Sequence, residues 1–177
     1  MQRKTPTVLA AIIILAGCAP EQPTELPPVR HETPAEAIHR VGEQWESKSV
    51  SKGLRSEPSK LAMFETRMVS RIQVIPGRDW SVEKLEVAEV FQMRSGLVYE
   101  CRAKGDVTVT LVFGRRDGEP AVEMRRPATR LTRVCNPPDY PEPEVDLPEV
   151  VGRFRLTGDQ LVGYDPPLEK RVYLPVQ

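Results

Sequence analysis

Three cysteines, two histidines and a dense group of arginines are the side chains of this 177-residue chain with the most chemistry to offer. Cys18 lies one glycine beyond an unbroken apolar run of nine residues, 8–16. A thiol there is the best side-chain nucleophile available for a modifying enzyme. His31 and His39 lack metalloprotease spacing, which needs two histidines on adjacent helical turns around a glutamate. No Gly-x-Ser-x-Gly, phosphate loop or dinucleotide fingerprint is present. Carboxylates are plentiful, but none form a pair set apart by apolar neighbours, as acid–base work requires. The reading is a protein that is not an enzyme, with no catalytic residue, no metal site and no cofactor.

The context of Cys18 is more specific. Arg3 and Lys4 give a basic start, and the apolar run is far short of the ~20 residues that a membrane-spanning helix needs. Leu15, Ala16, Gly17 and Cys18 read L-A-G-C, which resembles the lipobox of bacterial lipoproteins. The resemblance implies that residues 1–17 are a signal peptide, that Cys18 is acylated on its thiol, and that cleavage leaves it as the first residue. Two or more acyl chains hold a protein firmly at a bilayer without spanning it. Lipoproteins of this kind with Asp just after the cysteine tend to stay at the inner membrane. Ala19 occupies that position here, so the expected location is the outer membrane, with the body facing the periplasm.

Cleavage ahead of Cys18 would leave 160 residues and, with Arg3 and Lys4 gone, a net charge of minus two. A nearly neutral chain lacks the basic field that nucleic-acid binding needs. Cys101 and Cys135 then remain, and an isolated pair in an oxidising compartment is read as a disulfide. Closing that loop would restrict the unfolded chain by roughly 3 to 4 kcal/mol. The alternative is two buried thiols.

The elements that position these residues follow from periodicity. Residues 18–33 form a lipidated, proline-rich tether, and residues 34–177 a single periplasmic domain. Thr33 as N-cap, Pro34 in the first turn and Glu36 three residues after the cap predict a helix. Its apolar stripe is Ala37, Ile38, Val41 and Trp45, and it is expected to end near residues 47–53, so that residues 34–75 are mainly helical. Leu61, Phe64, Met68 and Ile72 predict a second helix over residues 59–75 that runs into a strand. Beyond Pro76-Gly77 the period becomes 2. Short strands follow, separated by turns at Ser95-Gly96, at Lys104-Gly105-Asp106 and at Asp117-Gly118, the last being the strongest hairpin signal. Residues 136–149, with five prolines and five acids, read as a loop, and residues 150–177 as a short β-meander. The expected fold class is α+β: N-terminal helices followed by a small antiparallel sheet or partly open barrel.

Two surface features remain. Arg115, Arg116, Arg125, Arg126, Arg130 and Arg133 crowd one stretch and could meet carboxylates or phosphates of an envelope partner or of peptidoglycan. The alternatives are that the acidic residues 139–149 fold back on them, or that they are solvated outward positions. Residues 95–111 are also similar to signatures of the periplasmic and membrane-bound inhibitors of c-type lysozyme, which are β-barrel lipoproteins. Ser95, Gly96 and Tyr99 match that family's S-G-x-x-Y. Ala103, Lys104 and Gly105 approximate its T-K-G, with alanine for threonine. The resemblance implies that Ser95 and Lys104 would hydrogen-bond the enzyme's two catalytic carboxylates. The two motifs share one tyrosine here, a departure from the family's pattern. The leading expectation is a lipid-anchored, non-catalytic binding or assembly module, such as an accessory subunit of an envelope or secretion complex. The alternative is a lysozyme inhibitor.

Overall fold

The computed structural model describes residues 31–57, 60–166 and 171–176; Cys18, the expected signal segment and most of the expected tether lie outside them. Only the first part of the expected first helix is present, as the eight-residue α1 (Pro34–Val41), and the residues expected to complete it, 44–53, are strand instead. Its capping box is complete: the Glu36 amide donates to Thr33 Oγ1 at 3.2 Å, and the Thr33 amide donates to Glu36 Oε2 at 2.8 Å. The helix stops at Gly42, where the backbone is extended. A Cβ at Gly42 would lie 2.6 Å from Pro175 Cβ, so the chain can turn there only with glycine.

Everything after α1 is strand. The strands are β1 (Gln44–Glu57), β2 (Lys60–Gln73), β3 (Trp80–Met93), β4 (Val98–Arg116) and β5 (Glu119–Arg126). They continue as β6 (Thr129–Asn136), β7 (Glu144–Leu147), β8 (Val150–Thr157), β9 (Gln160–Gly163) and β10 (Val172–Pro175). Neighbours pair antiparallel in the cyclic order β1-β2-β3-β4-β5-β8-β9-β10, and β10 returns to β1 through Trp45↔Pro175 and Glu46↔Leu174. This closes an eight-stranded barrel, and the α+β expectation of helices before a small sheet is corrected accordingly.

The barrel is closed at one end only. β4 is 19 residues long, with β3 along one edge. Its other edge is shared between β5, opposite residues 110–116, and β6, opposite residues 100–103. Beyond the closed ring, β1, β2, β3, β4, β6 and β7 therefore continue as an open, curled sheet. Gly105 makes room for Leu131 of β6, whose Cδ2 a Cβ at this position would strike.

Three apolar clusters fill the inside. Ile38 of α1 plugs the closed end against Trp45, Val109, Leu111, Met124, Phe154 and Tyr173. Leu85, Val87, Ala103 and Val107 meet Leu131 and Val145 where β6 and β7 fold over. Phe91, Tyr99 and Cys101 pack with Cys135 and Tyr140 near the open end. Each large side chain buried this fully contributes about 1.5–3 kcal/mol relative to exposure.

The expected helix over residues 59–75 is strand β2. Phe64, Met68 and Ile72 are four apart, and four is also a multiple of two, so the same residues fit one face of a strand. The inward positions between them hold Thr66 and Ser70, which hid the alternation. Trp45 likewise belongs to β1, where it alternates with buried Ser47 rather than extending the helical stripe. The expected turn at Lys104-Gly105-Asp106 is absent, since β4 runs straight through it. The proline-rich stretch 136–149 contains a four-residue edge strand, β7, paired to β6. The hairpin over Asp117-Gly118 and the closing meander are as expected. Arg116 faces Glu119 across a turn whose central residues both have positive φ, 52° and 85°.

Candidate functional site

The six arginines do not form one surface. Arg133 is buried: its Nε donates to Glu89 Oε2 at 2.6 Å, and its Nη1 donates to the Glu142 and Glu144 carbonyls. Its guanidinium also faces the Phe91 and Tyr140 rings. Arg130 donates to Asp146 at 2.7 Å and lies 3.3 Å from Glu144. For these two the acidic stretch does fold back on the arginine strand. Arg125 pairs with Glu123 on its own strand, and Arg116 lies near Asp117 and over the Tyr164 ring. Arg115 donates to the Gly118 and Glu32 carbonyls. Arg126 points into the barrel and is 3 % exposed, so neither it nor Arg133 is available to an external partner.

Inside the barrel Arg126 joins a buried polar layer that the sequence reading missed. Ser70 Oγ donates to Glu83 Oε1 at 2.5 Å and lies 2.8 Å from Tyr173 Oη. Arg126 Nη1 is 3.8 Å from the same Glu83 oxygen, and Nη2 donates to the Pro148 carbonyl at 3.4 Å. Burial first, and the Glu83 charge to a lesser degree, push the Tyr173 hydroxyl up to about 12. The layer is assembled from β2, β3, β5 and β10, strands far apart in sequence, so no local motif announces it. At 0 % exposure Glu83 is out of reach of a dissolved substrate, and the layer reads as structural.

Cys101 and Cys135 are joined as a disulfide, directly opposite each other on β4 and β6. Together with Arg133 it fixes residues 136–147 over the open end. Tyr140 stacks on Phe91 with ring centroids 4.6 Å apart. Among the described residues no group of three His, Cys, Asp or Glu side chains is placed to hold a metal ion. His39 is half-buried; its Nδ1 lies 2.7 Å from the Val74 carbonyl and ties α1 to the chain just after β2.

Ser95 and Lys104 are not brought together. Ser95 lies in the turn between β3 and β4, as expected, and its Oγ accepts from the Leu97 amide at 3.5 Å. Lys104 is mid-strand on the outer face, paired with Glu86 at 3.5 Å.

The feature most open to a partner is the outer face of the sheet beyond the closed ring. Val50, Leu54 and Met63 are each at least 60 % exposed there, and Val90 and Val98 are more than 40 % exposed. The register makes them neighbours: Leu54 faces Met63, and Val90 lies one step diagonally from Met63 through Glu65. Lys52, Glu65 and Arg67 rim the resulting shallow groove. Lys52 and Arg67 both pair with Glu65, whose carboxyl they hold below the usual range, so the rim is close to self-neutralised. Sequence periodicity could not find this patch, because it is visible only once inward and outward positions on β1 and β2 are known.

No protein-family model matches the chain, and neither a curated protein nor a solved structure matches it.

Proposed function

We propose that this protein is a lipid-anchored, non-catalytic binding or assembly module of the bacterial periplasm, held at the outer membrane through Cys18 and acting as an accessory subunit of an envelope or secretion complex. The lipobox-like L-A-G-C supports the anchor. The observation that carries the binding role is the groove around Leu54, Met63 and Val90. Exposed apolar side chains ringed by mutually paired charges match the core-and-rim composition of a protein interface. The groove lies beyond the closed ring, at the far end from α1, where the chain preceding His31 joins the domain.

The test is a photo-crosslinking residue placed at Leu54 or Met63 of the full chain in intact cells, with Thr108 on the same outer face as control. A discrete adduct from the first two positions and not from Thr108 is expected, and Met63→Glu should abolish the Leu54 adduct. Equal labelling at all three positions would overturn the assignment of the groove.

A further inference from the structure

A second surface lies at the opposite end and has different chemistry. The sequence holds two tryptophans, and they have opposite fates. Trp45 is fully buried, whereas Trp80 is 45 % exposed at the start of β3. Just before it the chain turns at residues 75–78. Pro76 and Gly77 occupy the central positions, Gly77 has φ of 81°, and the Arg78 amide donates to the Ile75 carbonyl at 3.1 Å. The turn brings the Arg78 guanidinium to 5.0 Å from the Trp80 ring centroid. A cleft of about 420 Å³ opens beside them, walled by Ile75, Val82, Arg71 and Lys84. Arg71 is engaged by Glu46 at 2.6 Å and Glu86 at 3.1 Å. Arg78 and Lys84 have no carboxylate partner among the described residues.

An exposed indole with aliphatic walls and two unpaired cations is amphipathic in the way a bilayer interface rewards. The ring sits at headgroup depth and the cations meet phosphate. The cleft also lies at the end of the barrel that carries α1 and Glu32. The backbone at Glu32 is held by Arg115, and α1 runs from there to His39, which bonds the Val74 carbonyl at the root of the turn. Twelve residues lie between Cys18 and His31, and the thirteen steps span at most about 45 Å when fully extended. With Cys18 acylated, the α1 end of the barrel is within reach of the lipid surface.

We infer that the Trp80 cleft seats the phosphate of an anionic phospholipid headgroup, so that the domain stands with its α1 end against the bilayer and its apolar groove pointing away. This rests on the lipid-anchored reading, and the experiment separates the two. The full chain is purified from membranes, its acylation is read by intact mass, and it is reconstituted into phosphatidylcholine vesicles with or without phosphatidylglycerol. A spin label near the headgroup serves as fluorescence quencher. The Trp80 contribution is the difference between the protein and its Trp80→Phe variant, which leaves the buried Trp45 as reference. The expected result is several-fold stronger quenching of Trp80 than of Trp45 in vesicles with phosphatidylglycerol, reduced to the Trp45 level in phosphatidylcholine alone or in the Arg78→Gln, Lys84→Gln variant. Quenching of Trp80 that is absent, or that is indifferent to lipid charge and to the two cations, overturns the cleft assignment even if the mass shows acylation. A mass without acyl chains overturns the anchor, while charge-dependent quenching on added vesicles still upholds the cleft.

Discussion

Arg133 and Glu89 form an ion pair inside the protein, 2.6 Å apart, with side chains only 3 % and 8 % exposed. Removing one member of such a pair leaves the other charge buried without compensation, at a cost of about 3–5 kcal/mol. Glu89→Leu and Arg133→Leu should each lower the denaturant midpoint sharply. The double variant should cost less than the sum of the two. Arg133→Leu should be the more damaging single change, because it also frees the Glu142 and Glu144 carbonyls. Its signature is earlier proteolysis within residues 137–147. Strict additivity in the double variant would show that the pair is not coupled.

The Tyr173 hydroxyl gives a second, pH-based expectation. Its folded pKa of about 12 lies above the ordinary value of 10.0, because burial disfavours the phenolate. Below pH 10 neither state is ionised and the stability contribution is complete. As pH rises from 10 toward 12 the unfolded chain ionises first, so stability falls by up to roughly 3 kcal/mol, at about 1.4 kcal/mol per unit. Ultraviolet titration of the native protein should show one tyrosine ionising last, together with loss of structure. That late step should be missing in Tyr173→Phe.

How much of this was legible in the sequence depends on what each inward position holds. On β4 the inward row Val107, Val109, Leu111 and Phe113 is apolar throughout, and its period of 2 was plain. On β1 and β2 the inward row includes Ser47, Thr66 and Ser70, and Ser70 serves the Glu83–Tyr173 layer. Those polar residues broke the alternation and left a spacing of four that imitates a helix. Gly105 misled for a related reason: a glycine between lysine and aspartate reads as a turn, yet here it makes room for Leu131 from another strand. The N-terminal cap and the Asp117-Gly118 hairpin were readable because each is set by residues within a few positions. The Arg126 layer and the Leu54 groove were not, because both depend on long-range register.

The disulfide carries a third expectation. Non-reducing peptide mapping should recover the peptides of Cys101 and Cys135 as one species. The Cys101→Ser, Cys135→Ser variant should lose about 2–5 kcal/mol, in line with native bridges in small domains. Because the bridge ties β6 to β4 rather than closing the barrel, the loss should appear first as faster hydrogen exchange in residues 129–147. Two freely alkylated thiols in the native protein would contradict the bridge.

Cys18 gives a fourth. Cys18→Ser should abolish incorporation of labelled fatty acid and leave the precursor uncleaved. Ala19→Asp should shift the protein toward the inner membrane on density fractionation. Fatty-acid labelling that persists in Cys18→Ser would remove the basis of the lipid-anchored reading.

The last expectation concerns lysozyme. To act as that family's inhibitors do, Ser95 and Lys104 would have to reach two catalytic carboxylates that lie within about 10 Å of each other in one cleft. Ser95 sits in the turn between β3 and β4, while Lys104 is six residues into the extended β4. At ~3.3 Å per residue the two are roughly 20 Å or more apart. The Lys104 ammonium is moreover directed along the outer face toward Glu86, 3.5 Å away, rather than toward the turn. A strand bonded on both edges cannot fold back to close that gap, since β3 holds Lys104 through Glu86 and β6 holds the neighbouring residues 100–103. Micromolar protein should therefore leave c-type lysozyme activity on cell walls unchanged. Ser95→Ala and Lys104→Ala should be indistinguishable from the parent in that assay. Dose-dependent inhibition that both substitutions abolish would reverse this ranking, and would require the open end of the sheet to rearrange on contact with the enzyme.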